Sequence, residues 1–174
     1  RAIRLTSWAC RRALGTLGAN VTVDGHHAPS IPNQGQMGRL IVSNHLSYVD
    51  ILIMSSRWPG VFVTSVETEQ SPFIGLVSKL GGSLFVERRN KTRLKADIAT
   101  IGEVIKQGFD VIIFPEGTSG NGEGLMPFKK SLLTSAIGAE TEVVPMCLNY
   151  ADINGEKPSL ENRDKVFYYG DMTF

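Results

Sequence analysis

Cysteine is scarce. Cys10 and Cys147 are the two in 174 residues, each in an apolar stretch. They make no disulfide framework and no Cys-x-x-Cys pair, which points to a reducing compartment. Long apolar runs are missing too. No stretch reaches the roughly 18 residues that a bilayer-spanning helix needs, and the longest clean runs, such as residues 111–114, have strand length. Nor is there an excess of one charge: 18 basic and 17 acidic residues leave a net +1. A dedicated nucleic-acid binder shows a larger basic surplus, so no nucleic-acid partner is expected. What remains is an ordinary globular composition, 42% hydrophobic and 20% charged, which excludes wholesale disorder. The length suits one domain with a core that needs no cross-links. The chain begins at Arg1 rather than Met, and Arg11-Arg12 interrupt any signal-peptide core. We therefore expect a piece of a longer protein, trimmed at both ends.

Residues 1–17 carry four arginines and no acid. At about 100° per residue, Arg1, Arg4, Arg11 and Arg12 share one arc with Trp8. Ile3, Cys10, Leu14 and Leu17 fall on the other. Segment 1–18 is predicted to be an amphipathic helix. It either lies on a membrane surface or packs on its own domain with its basic face in water. Residues 19–174 form the main domain. Residues 21–23 predict a short strand ending in a loop with His26 and His27. No third ligand stands nearby at zinc spacing, so a surface loop is expected and no metal site.

From residue 38 the pattern is strand, loop, helix, repeated. Strands are predicted at 39–43, 61–64, 84–86, 110–114 and 142–148. Helices are predicted at 48–57, 72–80 and 128–139, with Ser71-Pro72 opening the second, and a longer helix, with Leu94, Ile98, Ile101, Val104 and Ile105 at helical spacing, is closed by Gly108. Strands alternating with helices mean an α/β domain with a mainly parallel central sheet flanked by helices. In such a sheet, ligands sit beyond the carboxyl ends of the strands. That rim collects Asn44-His45, Glu67, Glu87-Arg88-Arg89 and Pro115-Glu116-Gly117-Thr118.

The run Asn44-His45-Leu46-Ser47-Tyr48-Val49-Asp50 is the sharpest of these. On one continuous helix His45 and Asp50 lie about 140° apart and do not meet. They meet if His45 lies in the loop and Ser47 caps the helix, with Asp50 at its third position in a capping-box arrangement. A carboxylate on one ring nitrogen then fixes the tautomer and leaves the other nitrogen as a base. The alternative is that Asp50 only caps backbone N–H groups beside a loop histidine, and the spacing leaves both open. The glycine-rich segment 116–124 lacks the Gly-Lys-Ser/Thr ending of a nucleotide loop. It suits anion binding through backbone N–H groups, or a plain connection.

Together these stretches resemble the glycerolipid acyltransferase family typified by 1-acylglycerol-3-phosphate O-acyltransferase. The run from Asn44 to Asp50 matches its NHxxxxD block. Gly82-Ser-Leu-Phe85-Val-Glu-Arg88 matches its arginine-bearing block, Phe114-Pro115-Glu116-Gly117-Thr118 its FPEGT block, and Val143-Val144-Pro145 its short fourth block. The resemblance covers about residues 35–150. It implies transfer of a fatty acyl group from acyl-CoA or acyl carrier protein to a lysolipid hydroxyl on the cytoplasmic face of the cell membrane. His45 is then the general base and Asp50 its orienter. Arg88, Glu116, Gly117 and Thr118 bind the acceptor's head, and backbone groups near Gly117 and Thr118 meet the oxyanion. No metal or redox cofactor is expected, because the thioester arrives activated and needs only a positioned base. The chain departs from the family where Ser119 stands in place of an arginine frequent in lysophosphatidate enzymes. That change, with Leu125-Met-Pro-Phe-Lys-Lys130, is more similar to the lyso-ornithine-lipid branch. Two other classes compete: a non-catalytic lipid- or acyl-CoA-binding domain, and a hydrolase that activates water, which would lack the usual Gly-x-Ser-x-Gly elbow here.

Overall fold

The computed structural model describes residues 2–25, 36–69, 75, 78–79, 82–87 and 90–170. In chain order these give α1 (Ala2–Thr16), β1 (Leu40–Ser43), α2 (Val49–Arg57), β2 (Val61–Ser65), α3 (Val66–Glu69), β3 (Leu84–Val86), α4 (Lys91–Lys106), β4 (Val111–Ile113), α5 (Thr134–Ala139) and β5 (Val143–Met146). A 3-10 turn, Lys130–Leu133, leads into α5, and another spans Arg163–Lys165.

The five strands make one sheet in the order β3-β2-β4-β1-β5, and every pairing is parallel. Leu40 stands opposite Val111 on one side and Val143 on the other. Leu40, Ile41, Val111, Ile112 and Ile113 are fully buried, as strands covered on both faces must be. Alternation splits them between two cores. Leu40, Val42, Val111 and Ile113 face Ile101 and Ile105 of α4 and Ala136 and Ala139 of α5. Ile41, Ile112, Phe62 and Phe114 face Met54 of α2 and Trp58. Each such aliphatic side chain contributes about 1.5–3 kcal/mol over leaving it in water. β5 is an edge strand, so it can hold Pro145, which has no N–H to offer a ladder.

The amino ends of β1 and β4 are tied by a buried cluster. Asp110 accepts from the Arg39 backbone N–H (2.8 Å), from Arg39 Nη2 (2.9 Å) and from Trp58 Nε1 (2.7 Å). The Arg39 guanidinium also lies 5.1 Å over the Trp58 ring. This cluster closes the end of the sheet opposite the His45 rim.

Helix α1 packs on α2. Cys10 and Leu14 are buried there, and Ser7 Oγ donates to the Ser56 carbonyl. Arg4, Arg11, Arg12, Leu5 and Trp8 face outward. The inward stripe follows the wheel except for Leu17, which follows the helix and is exposed.

Three expected elements differ. Residues 21–23 form no strand: Thr22 and Val23 are exposed, and the Val21 carbonyl is taken by the Arg57 side chain (2.6 Å) instead of a ladder partner. The helix expected from 128 starts at the 3-10 turn. Lys129 is extended and donates its N–H to the Pro115 carbonyl (2.8 Å), which holds this stretch against the β4 loop. The strand expected over 142–148 is shorter, at Val143–Met146, because Leu148 N–H turns to the Asn44 side chain (2.7 Å). The helix at 72–80 lies largely outside the described residues, as do His26 and His27. Asn90, whose side chain accepts from the Thr92 and Arg93 N–H groups, caps α4.

Candidate active site

β1 ends at Ser43, and the chain turns through Asn44-His45-Leu46-Ser47 before α2 begins. Asp50, in the first turn of α2, sits where the helix dipole favours a negative charge. It is fully buried. Its Oδ2 accepts from His45 Nδ1 (2.8 Å), Leu46 N–H (2.6 Å) and Ser47 N–H (2.9 Å). The helix starts one residue later than expected, with Tyr48 rather than Ser47 at its cap position, so Asp50 is its second residue; Asp50 still takes the Ser47 N–H, and Ser47 Oγ accepts from Val49 N–H at 3.3 Å. Asp50 thus does more than cap backbone N–H groups: a single oxygen both closes the turn and receives the imidazole. The hydrogen-bond network assigns the proton to Nδ1, which leaves Nε2 as the acceptor.

Behind the ring stands Phe114, stacked at 4.1 Å between centroids and 12° between planes. Phe114 follows β4, the strand beside β1, so the sheet itself fixes the plane of the imidazole. Glu116 is buried, and both carboxylate oxygens serve backbone. Oε1 accepts His45 N–H (2.8 Å) and Oε2 accepts Met126 N–H (2.8 Å). Gly120 N–H donates back to the His45 carbonyl (2.8 Å). The glycine-rich loop is therefore pinned to the histidine from two sides. Gly117, at φ +78°, makes the turn that a side chain would strain, and its N–H goes to the Phe114 carbonyl (3.0 Å).

His45 opens onto a cavity of about 480 Å³ between α1, α2 and β2. Its wall includes Ile3 and Cys10 of α1, Ile51 and Leu52 of α2, and Phe62 and Val63 of β2, with Gly117, Thr118 and Ser119 at the loop side. Ligand pockets span roughly 300–1,000 Å³ and are mostly apolar with a few convergent polar groups, which this cavity matches. Burial raises the Cys10 thiol above its ordinary range, so it lines the wall uncharged.

A carboxyl-terminal strap completes the site. Ser47 Oγ donates to the Val166 carbonyl (2.6 Å), and Tyr168 N–H donates to the Leu46 carbonyl (3.0 Å). The Tyr168 ring lies 4.9 Å from Tyr48. Phe167 rests on Gly122, where any Cβ would strike its ring, and Arg163 bridges to Glu123 (3.0 Å). From the end of β5, Tyr150 donates its hydroxyl to Asp50 Oδ1 at 2.6 Å.

Of the six residues singled out from sequence, the structure brings together His45, Asp50 and Glu116, with Gly117 and Thr118 on the wall of the same cavity. Arg88 lies outside the described residues. Phe114 stood inside a quoted block but was read only as strand. Tyr150 and the strap were missed. The signal for Tyr150 was topological: β1 and β5 are parallel neighbours, so the residues just beyond each reach the same rim. Among the described residues no group of three or more His, Cys, Asp or Glu side chains is placed to hold a metal ion. No helix among them is long and apolar enough to cross a membrane.

Residues 20–149 match the family model described as Acyltransferase. The chain belongs to the acyltransferase family. A 1-acyl-sn-glycerol-3-phosphate acyltransferase of Neisseria gonorrhoeae is 33% identical over 145 residues, 83% of this chain and 55% of that protein. A lyso-ornithine lipid O-acyltransferase of Rhizobium meliloti is 33% identical over 140 residues, 76% of this chain and 48% of that protein. The crystal structure of the 1-acyl-sn-glycerophosphate acyltransferase of Thermotoga maritima superposes with a TM-score of 0.62 at 25% identity, covering 81% of this chain and 55% of that one. The chain thus spans about half the length of the relatives it matches. Within this acyltransferase domain the four sequence blocks take distinct places. The first is the β1–α2 loop, the second β3, the third the end of β4, and the fourth the edge strand β5.

Proposed function

We propose that this chain transfers a fatty acyl group from a thioester, acyl-CoA or acyl carrier protein, to the hydroxyl of a lysolipid. One observation carries the reading: an imidazole held at 2.8 Å by a fully buried carboxylate stands on the lip of a largely apolar cavity of about 480 Å³. A binding module has no need of a base with its own orienter. His45 Nε2 takes the acceptor's hydroxyl proton, and the oxygen attacks the thioester carbonyl. The tetrahedral intermediate collapses, the imidazolium returns its proton to the departing thiolate, and the free thiol leaves. The buried Asp50 charge steadies the imidazolium in between. Gly117 N–H is spent on Phe114, so we assign the oxyanion donor to Thr118 on the same cavity wall. The thioester is a co-substrate, and the reaction as written needs no metal or redox cofactor.

Glu116 acts on the acceptor site through the loop it pins. We assign Arg88, by its place in the second block, to the acceptor's anionic head. The relatives' names favour 1-acylglycerol-3-phosphate as acceptor. Ser119 on the cavity wall, in place of a guanidinium, supports lyso-ornithine lipid as the second reading. We also place the protein on a membrane surface at the cytoplasmic face, with the outward Arg4, Trp8, Arg11 and Arg12 of segment 1–18 meeting it.

The test is direct: purified protein, a labelled acyl thioester and a panel of lysolipids, with products identified by mass. His45→Ala should lower turnover by roughly 10²–10⁴ with the fold kept, the usual worth of a general base. A folded His45→Ala protein with near-parental turnover refutes the assignment.

A further inference from the structure

We infer that Tyr150 is a positioning residue of the dyad, its hydroxyl anchoring the outer oxygen of Asp50 and, through it, the His45 ring. Asp50 Oδ2 already accepts three N–H donors, from His45, Leu46 and Ser47. Oδ1 is left, in a side chain fully shut off from water. A buried charged oxygen without a donor is costly. Tyr150 supplies that donor at 2.6 Å, a length typical of a charge-assisted O–H bond.

The phenol keeps its proton for physical reasons. Burial pushes its pKa far above the ordinary tyrosine range, and the Asp50 charge adds to the effect. It is therefore a permanent donor. The ring is held in turn by Phe167 of the strap, edge-on at 5.1 Å and 67°.

Tyr150 does not face the reacting atoms. His45 lines the large cavity, whereas Tyr150 lines a second one of about 270 Å³, bounded by Asn44, Glu116, Gly122 and Phe167. The Asp50 carboxylate bonds to both. Tyr150 thus reaches the His45 ring through Asp50, with Ser47 of the same turn as its other hydrogen-bond partner. With the hydroxyl gone, the carboxylate is held on one oxygen and can swing, and the ring follows. Its charge also concentrates on the oxygen facing His45, so the imidazolium is held more tightly. The titratable groups around the ring are Asp50 on α2, Tyr150 after β5, Glu116 in the β4 loop, and Tyr48 beside Tyr168. Removing the Tyr150 hydroxyl leaves the other four in place.

The kinetic arm of the test rests on the acyl-transfer reading, and a spectroscopic arm does not. In Tyr150→Phe, kcat should fall roughly 10- to 100-fold, as expected for one hydrogen bond to a charged group. KM for both substrates should stay unchanged, and the acid limb of the pH–rate profile should move up. NMR titration of the His45 ring should show the same upward move without any substrate. In an Asp50→Asn background, Tyr150→Phe should change kcat by less than about twofold, because partners in one network are not additive. A folded Tyr150→Phe protein with parental kcat and an unmoved His45 titration overturns the inference. If the parental protein transfers no acyl group, the function reading falls and the titration alone decides for or against Tyr150. Should Tyr150→Phe fail to fold, Phe167→Leu, which keeps the hydroxyl but frees the ring, is titrated instead. A moved His45 titration supports the role, and an unmoved one overturns it.

Discussion

Replacing Asp50 by asparagine separates what its charge does from what its shape does. The four donors on the carboxylate are unequal. Two are backbone N–H groups on Oδ2, which cannot reverse; His45 Nδ1, also on Oδ2, depends on the ring's tautomer, and the fourth is the Tyr150 hydroxyl on Oδ1, which can turn and accept. The asparagine amide therefore settles with its oxygen in the Oδ2 place and its NH₂ toward Tyr150. Every hydrogen bond of the turn survives, and only the charge goes. Between imidazolium and carboxylate about 4 Å apart at an effective dielectric near 20, that charge is worth about 4 kcal/mol at most. Turnover should fall by about 10²–10³, with KM within about twofold and a melting temperature within a few degrees of the parent. Asp50→Ala makes the contrast. It orphans the Leu46 and Ser47 N–H groups and the Tyr150 hydroxyl, at about 1–3 kcal/mol for each that stays dry. The melting temperature should then drop by about 10 °C, since 1 kcal/mol moves it about 2–4 °C in a chain of this size. Steady-state acyl transfer and thermal melts read both variants. Parental turnover in Asp50→Asn, or a melt as low as that of Asp50→Ala, would refute this account of the carboxylate.

The remaining predictions concern other parts of the molecule. Asp110→Ala leaves the Arg39 guanidinium without its buried partner and should cost about 3–5 kcal/mol by chemical denaturation, while kcat at low temperature stays near the parent because the cluster lies at the far end of the sheet. An unchanged denaturation midpoint would show that Arg39 finds water instead. Arg88→Ala should raise KM for the lysolipid more than KM for the thioester, and a change in the thioester alone would move Arg88 to the donor site. Replacing Arg4, Arg11 and Arg12 with glutamine should weaken sedimentation with anionic vesicles, each arginine near such a surface being worth about 1 kcal/mol at low salt. Undiminished sedimentation would make α1 a purely structural element.

The fold was legible because its signals are local. The β1 and β4 stretches are apolar throughout and proved to be the two strands buried on both faces. The spacing of Leu94, Ile98, Ile101 and Ile105 shows one face of α4 directly. The His45–Asp50 pair was legible as a possibility, since a five-residue gap fits both a cap and a dyad. The rest of the surroundings comes from the third dimension: Phe114 comes from the neighbouring strand and Tyr150 from beyond the edge strand, 69 positions past His45 and 100 past Asp50. No window along the chain contains such pairs. The failure at 21–23 has the same root. Two valines at alternate positions have strand character, yet a strand exists only where a ladder partner is free, and here a side chain took the carbonyl. Helix 128–139 began late for a like reason, its first residues being claimed by Pro115.

The strap sets an order of events during synthesis. The His45 loop leaves the ribosome early, yet the groups that clasp it follow much later: Tyr150 stands 100 positions after Asp50, and Val166 stands 119 after Ser47. Chains fold from the amino end as they emerge, and contacts so far apart in sequence close last. A growing chain can thus assemble β1, β2 and β4 while its base still lacks its outer anchor. Until residues 150–168 arrive, Asp50 lacks its Tyr150 donor and Ser47 lacks its Val166 acceptor. The clasp around the His45 loop is therefore among the last parts of the domain to close.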